Sequence, residues 1–334
     1  MSSRIRGIIY IPTIFQRDSY VTDRYDCLFD AMAERFGFEV CRADSIGSIP
    51  DTDVVIVFKA AQHSNRNSLA DAANLPKSVK LISYFVDLHS QTKLSPIHYR
   101  LRSLNRAFGR ELDFPAASDE IPMEKILDRS DVIICPYDTA FRSEWPQHVE
   151  KYRFFPHFFA PYDRYVNIDF NESPTNNVFL SGSIGFVGGV DAYPVRRYIR
   201  DNAPECLVYL PHPGYHTGRG IIRDDYAKFI REHLGGVATA SAFGYVVAKY
   251  FEIPAAGALL IGERVDDLDK LGFIPNEHYV SITKENAIGT IEECCANPRK
   301  YTEIRKEGMD LVRKSHSINN RLDLMGEVIR GVVK

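Results

Sequence analysis

The residues best suited to chemistry in this 334-residue chain fall in one run, Ser241-Ala-Phe-Gly-Tyr-Val-Val-Ala-Lys-Tyr-Phe-Glu-Ile-Pro-Ala-Ala-Gly257, followed by an apolar segment ending at Glu263. A small polar turn at Ser241 and Gly244 precedes a helical stretch. A helix start directs free backbone N–H groups at an anion, and glycine lets a phosphate approach the backbone. Glu252, placed toward the far end of that helix, can accept hydrogen bonds from the two hydroxyls of a ribose. The plainer reading stays open: Ser241 caps a helix, and Glu252 is a solvated carboxylate.

A second candidate is Ser181-Gly-Ser-Ile-Gly-Phe-Val-Gly-Gly189. Gly182 and Gly185 let backbone amides reach a phosphate or sugar, and Ser183 adds a hydroxyl. The spacing is not GxGxxG, so a dinucleotide fingerprint is unsupported, and a tight turn without ligand is the alternative. Tyr193-Pro-Val-Arg196-Arg197 then starts a helix, with Arg196 facing either a ligand or solvent. In Leu210-Pro-His-Pro-Gly-Tyr-His-Thr-Gly-Arg-Gly220, His212 and His216 are four apart, but prolines and glycines break the helix that would align them. The Asp51-Thr-Asp53 triplet precedes a strand and reads as a turn. No metal is expected.

These residues need a scaffold, and its pattern is α/β. Arg6–Pro12, Phe38–Arg42, Asp53–Phe58, Lys80–Val86 and Asp131–Cys135 are short, apolar on both faces, and suit a parallel sheet covered by helices. Tyr25, Leu28, Phe29, Met32, Ala33 and Phe36 follow helical spacing and stop at Gly37. After the proline-bounded segment Phe155–Pro161 the pattern restarts, with strands at 177–181, 206–210 and 257–261, helices at 194–202 and 223–234, and closing helices after Asn297-Pro298 and over about 318–331. At this length two domains are the default. They are expected at 1–160 and 161–315, with 316–334 as a closing helix packing back toward the first, and with a ligand in the cleft between them.

Composition narrows the function. Net charge is −3 and hydrophobic residues make up 45%, which disfavours a protein built to coat nucleic acid or an anionic membrane by bulk charge. Six scattered cysteines without a CxxC pair disfavour zinc ribbons and disulfide scaffolds. The apolar runs are too short for a signal peptide or a bilayer span, so a soluble cytoplasmic protein is expected.

Lys249-Tyr-Phe-Glu-Ile-Pro-Ala-Ala-Gly257, Leu271-Gly-Phe273, Glu277-His-Tyr-Val280, the Asn297-Pro298 helix, and Ser315-His316 before Arg321 together resemble the C-terminal domain of group 1-type glycosyltransferases found in spore-maturation-like proteins. The resemblance covers residues 175–330. It implies a GT-B architecture, two Rossmann-like domains facing each other across a cleft, with a nucleotide sugar donor on the second and a glycan or other hydroxyl acceptor mostly on the first. By that resemblance Glu252 holds the ribose. Lys249, Ser241 and Gly244, with Gly182, Ser183 and Gly185, serve the donor and its diphosphate, and no metal or cofactor is required. Loops such as 211–220 shape the nucleobase pocket in that architecture, where Tyr215 can stack and Arg219 can neutralise phosphate.

One departure is informative. Retaining members of the wider group carry an acid eight positions before the ribose-binding one, and here that position is Gly244. Inversion and a variant retention are both left open. An inverting enzyme needs a base for the acceptor hydroxyl, and Asp87 and His89, just beyond the apolar strand Leu81–Val86, are the first candidates. A helix cap at Asp87 and an ordinary loop histidine are the alternatives; His157, Asp18 and Lys59 follow by the same logic. A non-catalytic nucleotide- or sugar-binding protein, and a nucleotide-sugar epimerase on the same architecture, are the rival functions.

Overall fold

The computed structural model describes residues 5–11, 23–43, 45–47, 49, 51–59, 66–86, 123–158, 164–165, 167–187, 190–213 and 220–333. The chain divides into two compact units. Unit 1 comprises Met1–Arg17, Tyr25–Pro156 and Leu322–Lys334, and unit 2 comprises Asp18–Arg24 and His157–Arg321. Each is a parallel sheet with helical crossovers, so both are Rossmann-like and the α/β reading holds. No helix among the described residues is long and apolar enough to cross a membrane.

Unit 1 contains β1 (Gly7–Ile11), β2 (Glu39–Arg42), β3 (Val54–Lys59), β4 (Lys80–Phe85), β5 (Val132–Cys135) and β6 (Tyr152–Phe154), in the order β2-β1-β3-β4-β5-β6. Every pairing is parallel. β3, β4 and β5 are buried along nearly their whole described length, as strands covered on both faces must be. Helix Asp23–Phe36 places Tyr25 and Phe29 on that sheet, where Phe58, Tyr84 and Phe155 complete an aromatic cluster with ring centroids about 5 Å apart at each Phe58–Tyr84 and Tyr84–Phe155 contact. Asp53 accepts the Arg6 backbone N–H at 2.8 Å and Asp51 pairs with the Arg6 guanidinium, which makes the Asp51–Asp53 triplet a turn leading into β3.

Unit 2 contains β7 (Thr175–Ser181), a small hairpin of β8 (Phe186–Val187) and β9 (Val190–Asp191), then β10 (Leu207–Leu210), β11 (His233–Ala238), β12 (Leu259–Glu263) and β13 (Val280–Ile282). The sheet order is β10-β7-β11-β12-β13, again parallel throughout. β11 corrects the sequence reading, which ran the preceding helix to residue 234; that helix ends at Glu232 and a central strand begins at once. The segment His-Leu-Gly-Gly-Val-Ala carries little strand propensity. It is a strand because its neighbours leave no room for side chains: a Cβ on Gly235 would lie 2.7 Å from Leu259 O, and one on Gly236 2.3 Å from the Phe179 ring.

Candidate anion site at the strand ends of unit 2

Within the five-stranded sheet, the next strand after β7 is the edge strand β10, after which the chain returns to the other side of β7 as β11. The boundary between β7 and β11 is therefore the point where strand order reverses, and outside the carboxyl ends of such a pair open α/β sheets bind ligands. Here the ends are Ser181-Gly182 and Ala238-Thr239.

Gly182 has φ +109°, a backbone conformation that other residues rarely adopt. A Cβ there would meet Arg196 Nη1 at 2.8 Å and Lys249 Cε at 3.2 Å, so two cations flank a bare stretch of backbone. Arg196 lies in helix Pro194–Asp201 and is only 3% exposed. Its Nε donates to Thr239 Oγ1 at 3.1 Å and its Nη1 to Ser183 O at 2.9 Å, while the guanidinium stacks 3.8 Å from the Tyr193 ring centroid. Burial pulls its pKa down, against the fields of nearby tyrosines and Glu263. The sequence left Arg196 undecided between ligand and solvent; the fold buries it beside Gly182.

Lys249 opens the short helix Lys249–Ala255. Its Nζ donates to Tyr226 Oη at 3.4 Å, and that hydroxyl shares a 2.9 Å hydrogen bond with Ser181 Oγ. Burial, then the field of Glu252, push the Tyr226 phenol well above its ordinary range, so it stays protonated. His212 is pushed down by burial and by the charges of Lys249 and Arg196, which keeps the imidazole neutral. Ser181 opens the glycine-rich run already singled out, whereas Tyr226 and Thr239 had no motif to signal them; all three are brought here by strand ends and by helix Arg223–Glu232.

The turn at 241–244 differs from expectation. Ala242 N–H donates to Ala192 O, Gly244 N–H to Ser241 O, and the amides of Phe243 and Tyr245 to Ser241 Oγ. Ser241 thus closes a turn rather than capping a helix, and the helix starts only at Lys249. These amides are occupied, so the anion donors of this region are the side chains of Arg196 and Lys249. Gly244 has φ +71° with open space around its Cβ position. Through Ala192, whose N–H donates to Gly185 O, the turn is tied to the loop that follows β7. Glu252 sits in the first turn of its helix rather than near the end, on the same face as Lys249. Its half-buried carboxylate has no hydrogen-bond or ion-pair partner among the described residues.

The structure therefore brings together Gly182, Ser183, Lys249 and Arg196, with Glu252 next to Tyr226, and ties Gly185 to Ser241 and Gly244. Asp87, His89, Tyr215 and Arg219, as well as Asp18 and the Lys59 side chain, lie outside the described residues. Such an assembly can hold a dianion between two cations and offer a carboxylate to a diol beside it.

Residues 189–326 match a family model described as glycosyl transferase-like. No curated protein sequence matches the chain. Among solved structures, a glycosyltransferase from Rickettsia africae superposes with a TM-score of 0.58 at 10% identity, covering 99% of both chains. HepE of Anabaena, solved with UDP and glucose, gives 0.59 at 9% identity over 98% of this chain and 99% of that one. The T4 phage enzyme BGT, solved with its UDP-glucose substrate, gives 0.56 at 12% identity over 97% and 99%. The fold of the chain is accordingly GT-B, and its residues 189–326 are similar to a glycosyl transferase-like family.

Proposed function

We propose that the protein transfers a sugar from a nucleotide diphosphate sugar to a hydroxyl of a glycan or another acceptor, without a resident metal. The observation that carries this reading is the pair of cations, Arg196 and Lys249, set against Gly182 at the switch point of unit 2, with the unpartnered carboxylate of Glu252 close by. The departing nucleotide diphosphate gains negative charge in the transition state. Preorganised cations that meet that charge lower the barrier, and positioning supplies much of the rest. Glu252 takes the ribose hydroxyls, and from the 211–220 segment Tyr215 stacks on the base and Arg219 neutralises phosphate. UDP-sugars are the first donors to examine, because HepE and BGT were solved with UDP or UDP-glucose. Asp87 or His89 serves as the acceptor base if the anomeric centre inverts.

The test begins with a thermal-shift panel of nucleotide diphosphates and nucleotide sugars, in which a true ligand stabilises by RT ln(1 + [L]/Kd). Glu252→Ala is then expected to weaken binding of the stabilising donor by about 1.5 to 3 kcal/mol without loss of fold. Unchanged affinity in titration calorimetry would remove Glu252 from the site. Asp87→Asn and His89→Ala, made separately, are expected to leave donor affinity intact while one of them loses at least ~10²-fold in kcat.

A further inference from the structure

The charge at the strand ends of unit 2 is unbalanced at one place. Arg196 is nearly fully buried, its two hydrogen bonds go to neutral oxygens, and no carboxylate lies within ion-pairing distance of it among the described residues. The carboxyl whose field reaches it is Glu263, the last residue of β12. That carboxyl accepts the Ala240 N–H, but its Oε2 is buried with no hydrogen-bond partner among the described residues. An ionised group would leave unpaired charge on that oxygen, whereas a carboxylic acid would not. Burial pushes Glu263 up to about 7, opposed by the Ala240 amide and by Arg196. Of the other titratable groups nearby, Lys249 carries a positive charge, whereas Tyr250 and His212 are neutral. Tyr250 donates its hydroxyl to Glu263 O at 2.8 Å and is held protonated by burial, and His212 is held neutral beside Arg196 and Lys249.

We propose that Glu263 takes up the proton that balances an anion bound at Arg196: when the diphosphate of a nucleotide sugar settles there, a proton from solvent passes to the Glu263 carboxyl. The inference rests on the diphosphate reading of this site. No bond of the donor changes; a carboxylate and a solvent proton become a carboxylic acid. A second anion beside Arg196 cancels the field that favoured ionised Glu263 and excludes water, and both effects favour the neutral acid. The bound-state pKa is thus raised above the free-state one. Donor affinity is then level below the free-state pKa and falls as pH rises through about 7, by up to roughly tenfold per pH unit.

The experiment is calorimetric titration of UDP-glucose into the full chain near pH 8 in two buffers of different ionisation enthalpy. The diphosphate diester of this probe does not titrate near neutrality, so any proton taken up belongs to the protein. Wild type is expected to take up close to one proton near pH 8 and about half of one near pH 7. Glu263→Gln is expected to take up none and to hold a pH-independent affinity. Should that variant fail to fold, Glu263→Asp, which keeps a carboxyl, is expected to shift the midpoint of the affinity profile. Binding without proton uptake in wild type overturns the proposal, and so does uptake that persists in Glu263→Gln or an unmoved midpoint in Glu263→Asp. Failure of UDP-glucose to bind at any pH instead overturns the donor reading on which the proposal stands. A merely structural Glu263 would alter stability and leave proton uptake unchanged.

Discussion

Two sets of arginines in unit 2 behave differently. Arg305 and Arg313, on helix Thr302–Ser315, are hydrogen-bonded to backbone carbonyls: Arg305 to Gly257 O and Asn171 O, Arg313 to Ala255 O, Tyr165 O and Ile168 O. They fasten the segment around 165–171 to the turn after helix Lys249–Ala255. Arg196, equally buried, also donates to a carbonyl, yet it stands over a glycine of positive φ, beside a lysine and within the field of an acid whose Oε2 has no partner. Burial of a guanidinium alone therefore does not mark a functional site. What separates the two sets is the surroundings: Arg305 fills a joint between chain segments, whereas Arg196 flanks bare backbone at a strand-order reversal.

The largest expected effect probes the structural set. Arg305 is 2% exposed and burial holds its pKa down to about 10. Arg305→Ala would orphan two buried carbonyls, at a cost of about 3 kcal/mol or more in denaturant unfolding, with donor affinity of the folded fraction unchanged. A loss of UDP-glucose binding comparable to the loss of stability would erase the distinction between the sets.

Arg196→Gln is the reciprocal test. Loss of a charge-assisted bond to the diphosphate is expected to weaken UDP-glucose binding by about 1.5 to 3 kcal/mol, or roughly 10- to 150-fold in Kd. Stability should change less than in Arg305→Ala, because deleting a buried, unpaired charge also relieves its desolvation. Titration calorimetry beside an unfolding curve reads both quantities. A variant that unfolds like Arg305→Ala but binds normally would move Arg196 into the structural set.

Gly182→Ala sharpens the geometry. At φ +109°, and with Arg196 Nη1 2.8 Å from the new Cβ, the substitution is expected to cost about 1 to 3 kcal/mol in stability and to weaken donor binding by displacing the guanidinium. Normal stability and affinity together would show that the bare backbone at this position is not needed.

The smallest expected effect is that of chelation, which should leave transfer unchanged. Among the described residues, the group with ligand atoms close enough to share an ion is Glu124, Asp128 and His148 in unit 1, where His148 Nε2 lies 2.9 Å from Glu124 Oε2. It is separate from the Arg196 and Lys249 cluster in sequence and belongs to the other unit. Activity abolished by EDTA and restored by magnesium or manganese would overturn the metal-free proposal.

Much of the architecture was written in local sequence. Strands such as Val54–Lys59 and Lys80–Phe85 are read from unbroken apolar runs, and helix Asp23–Phe36 from its 3.6-residue period, because burial on two faces or on one stripe leaves a direct compositional trace. Gly182, Lys249 and Glu252 were legible as candidates for the same kind of reason: glycine and charge beside a strand or within a small-residue motif stand out from their neighbours. Tertiary structure alone decided β11, since Gly235 and Gly236 are strand residues only where Leu259 and Phe179 press against them. It alone decided that the amides of 242–245 are occupied, because Ala192 and the Ser241 hydroxyl reach them from a fold the periodicity does not specify. It also decided which charges count. Arg196 and Glu263 are ordinary residues at helix and strand ends in the sequence, and their burial, missing counter-charge and mutual field arise only when the ends of β7, β11 and β12 come together, which is a property of chain crossover and not of any local pattern.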